Sequence, residues 1–86
     1  MTTTTPLTAE EKQTIEDLLD RIDVQIIKLQ NTEEDAMNRG EYAKASTARE
    51  GVTCLQWAAA YLNHGRFEDA EKALKAAKVR IREVYA

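Results

Sequence analysis

Two short segments of this chain share one pattern. Gly40-Glu-Tyr42-Ala-Lys-Ala45 and Gly65-Arg-Phe67-Glu-Asp-Ala70 both read Gly-x-aromatic-x-x-Ala. Glycine just past a helix takes the left-handed conformation that ends it, and a helix can restart at once. With only three Gly and one Pro in 86 residues, few other positions interrupt a helix. The pair of turns therefore cuts the chain into three helical stretches, and connections this short make consecutive helices antiparallel.

Helix-period apolar spacing fills each stretch. The first is predicted over about 8–38, opened by the capping-box pattern Thr8-Ala-Glu-Glu11. Its stripe is Ile15, Leu18, Leu19, Ile22, Ile26 and Leu29. The stripe weakens at Asn31-Thr-Glu-Glu-Asp35, where a bend is a candidate. The second helix is predicted over about 41–63 with two apolar faces. Ala45, Ala48, Val52, Leu55, Ala59 and Leu62 form one, and Cys54, Trp57, Ala58 and Tyr61 the other. Two faces imply neighbours on two sides, so this helix is the expected middle element. The third, about 66–85, carries Phe67, Ala70, Leu74, Ala77, Ile81 and Val84. Its acids come early and its bases late, as the helix dipole favours. No segment alternates as a strand does. The expected fold is all-α: one helical domain over 8–86 after a disordered leader, residues 1–7.

The second turn, extended both ways, resembles one tetratricopeptide repeat. Trp57, Ala58 and Tyr61 hold the places that close the first helix of that hairpin. Gly65 and Phe67 hold the turn, and Ala70, Leu74 and Ala77 line the second helix. The resemblance spans about residues 51–84. It implies that Ala58 and Ala70 allow close helix approach, while Tyr61, Phe67 and Leu74 fill the seam. It departs at Cys54, where the repeat usually has Trp, and at Arg82, where a proline usually closes the unit. The two turns lie 25 residues apart, not 34, so only one repeat matches. A generic bundle with the same turn chemistry is the alternative.

In repeat arrays the first-helix surface lines the peptide-binding groove. Here that surface carries Val52, Leu55, Ala59 and Leu62, with no Lys or Asn cluster to grip a terminal carboxylate. An apolar groove needs a cover: either helix 1 folds over it, or a partner's helix does. These four residues, with Trp57, are the expected partner-binding set. Val24 and Ile27 join it, because both fall off the helix 1 core stripe onto its polar side. Either they are stray surface apolars or they seed a dimer or partner contact.

Chemistry is sparse. The one His and one Cys make no metal-spaced or catalytic constellation, so neither an enzyme nor a cofactor is expected. His64, beside Gly65, reads as a helix-end residue, and Cys54 as packing beside Trp57. No apolar run approaches the roughly 18 residues of a membrane span. A lone thiol suits a reducing compartment and the N-terminus has no signal-peptide pattern, which together predict a cytoplasmic protein. A net charge of -3 and a pI near 5 argue against a nucleic-acid binder. Lys75, Lys78 and Arg82 nevertheless share a flank of helix 3. They are either a solvated balance to the acidic first helix or a candidate anion-binding site for a small ligand.

The leading functional expectation is a small non-enzymatic adaptor or chaperone-like protein that binds a protein partner, or itself, through apolar helix faces. The acidic helix, Arg-Gly turn and Ala-rich second helix resemble small co-chaperones of type III secretion needle subunits. The alternative is a phage-type inhibitor of host defence, acting by binding protein or as an oligomeric cyclic-nucleotide sponge. Cys54-Leu-Gln-Trp57-Ala-Ala-Ala60 is similar to the Trp-Ala segment of such helical sponges. A structural subunit of a larger assembly is a third reading.

Overall fold

A computed structural model describes residues 7–86. Three α-helices, α1 (Ala9–Asn38), α2 (Tyr42–Asn63) and α3 (Phe67–Tyr85), make up the described residues, with no strand among them. The leader expected over 1–7 lies outside the described residues except for Leu7. α1 starts as its sequence predicts. Thr8 Oγ1 accepts from the Glu11 amide at 3.1 Å, and the Thr8 amide donates to Glu11 Oε1 at 3.2 Å, so two orphan amides are satisfied reciprocally. α1 then runs as one unbroken helix through Asn31.

Both helix ends close with the same turn. At the second, Gly65 has φ +71 and donates to Leu62 O at 3.2 Å, while the Arg66 amide reaches back to Tyr61 O at 2.8 Å. This is the Schellman arrangement, and only a residue without Cβ enters its left-handed position cheaply. Gly40 and Glu41 repeat it on Met37 and Ala36. His64 stands at the α2 C-cap, where its backbone amide donates to the last-turn carbonyls.

α2 is the middle element, and α1 and α3 each pack along it. Ile22 and Leu29 of α1, Val52, Leu55, Ala58 and Leu62 of α2, and Ala70, Ala77 and Val84 of α3 form one buried core. α1 and α3 touch each other only thinly. Their one directed contact is between Thr32 Oγ1 and Tyr85 Oη, 2.9 Å apart. Thr32 Oγ1 also donates to Lys28 O, so Tyr85 is the donor across the gap.

The remaining inter-helix polar links lie near that contact. Arg49 Nε donates to Glu33 Oε2 at 2.8 Å, joining α2 to α1. Arg80 Nε lies 2.7 Å from Glu50 Oε2, joining α3 to α2, although its N–H is not aimed well enough for a hydrogen bond. The bundle is thus fastened at one end. At the other, the 30-residue α1, about 45 Å long at 1.5 Å per residue, overhangs the 22-residue α2. The whole extends 53 × 22 × 17 Å.

Candidate functional site

Because α1 and α3 both lean on α2 and barely on each other, a groove remains between them. Leu18 and Ile22 of α1, and Leu74, Ala77 and Ile81 of α3, form its walls, and Leu55 of α2 lies beneath. Arg21 and Gln25 on one side and Lys78 on the other complete the lining of a hollow of about 310 Å³. Toward the overhanging end it meets a second hollow of about 400 Å³. Leu7, Glu10, Glu11, Thr14 and Ile15 line this one, together with Leu62 and Phe67. Leu18 lines both. The two lie end to end along α1 as a largely apolar trough from Glu10 to Gln25, about 23 Å long at the helix rise.

The partner-binding set read from the sequence divides on burial. Val52, Leu55 and Leu62 are core, none more than 8% exposed, so these three are not free surface. The reason is the lid: the Ile15-to-Leu29 stripe folds onto that face, and only the gap toward α3 stays open. Ala59 is half-buried. Val24 and Ile27 are exposed (54% and 57%), on the outside of α1 and away from the trough lining. Phe67, assigned to the seam by the repeat resemblance, is instead 45% exposed and forms the mouth of the trough. Phe67 is the first residue of α3, at the bundle end, where it shares a hollow with the overhanging first turns of α1.

Trp57 lies on the opposite face and is 56% exposed. Its ring stacks on Tyr61 with centroids 5.7 Å apart and 30° between planes, and the Arg66 guanidinium sits 5.0 Å over Tyr61. The turn makes this contact. In a Schellman closure the residue after glycine reaches the third-last helical residue, and here those are Arg66 and Tyr61. Arg66 also pairs with Asp69 at 2.6 Å. Cys54, Asp69, Lys72 and Ala73 complete a shallow hollow around the two rings. Tyr61 and Arg66 are five positions apart, so the pairing was readable in principle from the turn.

The residues of the candidate anion flank are spread along α3. Lys75 pairs with Glu71 of its own helix at 3.5 Å, Lys78 stands at the trough rim, and Arg82 is exposed one turn further on. Among the described residues, no group of His, Cys, Asp and Glu is placed to hold a metal ion, and no helix is long and apolar enough to cross a membrane. Comparison with protein-family models, characterised proteins and solved structures finds no match to this chain.

Proposed function

We propose that this chain is a non-enzymatic adaptor or chaperone-like protein that takes one amphipathic helix of a partner protein into the trough between α1 and α3. The observation that supports it is the trough itself. Its walls are aliphatic, it runs parallel to two helices, and its length suits about four turns of a third. An amphipathic helix buries its apolar stripe in such a groove, anchored by side chains three and four residues apart. A fourth helix would complete the antiparallel packing that α1 and α3 leave unfinished.

The test uses the native host. A photo-crosslinking residue at Gln25, at the trough rim, is expected to capture a defined protein, while the same residue at Ala76 on α3 is not. That protein, purified, should bind the wild-type chain and lose at least about tenfold affinity for Leu18→Asp, the scale of removing one buried apolar anchor. Circular dichroism first establishes that the variant stays folded. Equal binding by folded wild type and Leu18→Asp would remove the trough from the account.

A second reading is supported by the Trp57–Tyr61 stack. An open indole face beside Lys72 suits a flat anionic ligand, as a cyclic-nucleotide sponge would need. A thermal-shift series with cyclic dinucleotides tests it. Stabilisation lost in Trp57→Ala supports the sponge, and no shift at saturating ligand sinks it.

A further inference from the structure

The trough is electrically polarised, which bears on the direction of whatever helix it holds; this inference rests on the helix-docking reading above. At the overhanging end its rim carries Glu10 and Glu11. Glu11 is partly committed to the Thr8 amide, and Glu10 has no such partner in the cap. About three turns along, the rim carries Arg21 from α1 and Lys78 from α3, on either side of Leu55, with no acid among the lining residues. One apolar channel thus passes from an acidic mouth to a basic interior.

α1 and α3 also run in the same direction, since the Thr32–Tyr85 contact joins late residues of both. Both helix N-termini therefore lie at the acidic mouth. The α3 start has no side-chain cap, Arg66 offering no acceptor there. A helix dipole places partial negative charge at a C-terminus and partial positive charge at an N-terminus. A docked helix running opposite to α1 and α3 sets its C-terminus beside those two N-termini.

We infer that the trough receives an amphipathic helix that is acidic in its first turns and basic in its last, lying antiparallel to α1 and α3. Its early carboxylates meet Arg21 and Lys78, its late Lys or Arg side chains meet Glu10 and Glu11, and its apolar stripe contacts Leu18 and Leu74. The opposite orientation opposes like charges at both ends. This charge order is the one that stabilises a helix on its own, so the site selects among helices by orientation as well as by apolar pattern.

Two synthetic peptides of about sixteen residues, the number that spans the trough at the helix rise, test this against the full chain. Both carry one leucine stripe and the same composition. One has Glu in its first half and Lys in its second, and the other has the order reversed. A hydrocarbon staple on the polar face holds the two equally helical. The reversed peptide can match the charges only by lying parallel, with its N-terminus beside those of α1 and α3. The acid-first peptide is therefore expected to bind a few-fold tighter in low salt, the scale of a helix-dipole contact. The advantage should fall away near 1 M salt and vanish in Arg21→Glu/Lys78→Glu. A nitroxide on the C-terminus of the acid-first peptide should broaden amide signals from Glu10 to Thr14.

Tighter binding by the reversed peptide, or broadening centred on Arg21 to Gln25, would overturn the proposed direction. Equal binding by both peptides, lost in folded Leu18→Asp, leaves a helix-docking trough and removes its polarity. Absence of binding by either peptide below about 1 mM counts against both.

Discussion

Gly51 sits mid-helix in α2, where side chains of both α1 and α3 approach its backbone. A Cβ added there would stand 3.1 Å from Leu29 Cδ1 and 3.5 Å from Arg80 Cβ. Replacing Gly by Ala in a helix interior gains about 1 kcal/mol of propensity. Leu29 is fully buried and must move by a few tenths of an ångström to accept it, which costs a similar amount. Gly51→Ala is therefore expected within about 1 kcal/mol of wild type. Gly51→Leu, with no room for a branched side chain, should lose about 2 kcal/mol or more. Urea denaturation of the two variants checks this, and wild-type stability in Gly51→Leu would contradict the close approach. From the sequence, Gly51 already signalled either a bend or a close approach. The choice needed the third helix, because Arg80 lies 29 residues away in the chain.

Trp57 gives the opposite case. It is large but more than half exposed, and its stack on Tyr61 contributes about 0.5–1.5 kcal/mol at most. Trp57→Ala should lower stability by no more than about 1.5 kcal/mol. A large loss of stability would mean that the ring is packed in solution. A helical wheel could not settle its exposure, because Trp57 shares a stripe with Ala58, which is completely buried, and with half-buried Tyr61. One residue of offset, about 100° around the helix, separates the core from water.

At the scale of elements, the helices were legible because their signals are local. The capping box, the two glycine turns and the 3.6-residue stripes depend on residues a few positions apart, and all three helices stand where they were expected. The trough was not legible, because its lining is drawn from Leu18, Leu55 and Leu74, and their mutual placement depends on how α1 leans across α2. Stripe periodicity gave each helix an inner face without giving the angle between neighbours. That is why Val52, Leu55 and Leu62 entered the expected binding set yet lie in the core.

α1 also holds the most consequential core position. Leu29 is fully buried and lies against Gly51 of α2, so Leu29→Ala should lose about 2–5 kcal/mol. A chain of this size has roughly 4–13 kcal/mol in all, so the variant should be largely unfolded or have a sharply lowered melting temperature. By contrast, Thr8→Ala removes only the cap, at about 1 kcal/mol. It should increase hydrogen exchange in the first α1 turns, at the acidic mouth, without raising exchange near Glu33 or Glu50.

The whole molecule is fastened at one end and open at the other. Tyr85 on Thr32, Arg49 on Glu33 and Arg80 beside Glu50 gather at one end, while at the open end the described residues contribute the apolar contacts of Ile15, Leu18, Leu62 and Phe67. Polar cross-links fix register, whereas apolar contacts without direction let two helices part slightly. That division suits a protein that keeps its fold while admitting a helix between α1 and α3. It also places the exposed apolars Val24, Ile27 and Val79 outside the trough lining, so they serve as internal controls.

The most direct test is methyl NMR of the full chain during titration with the acid-first helical peptide. The account predicts saturable shifts at the methyl groups of Leu18, Leu74 and Ile81, with those of Val24, Ile27 and Val79 unmoved. Shifts confined to Val24, Ile27 and Val79, with the trough methyls silent, would contradict it.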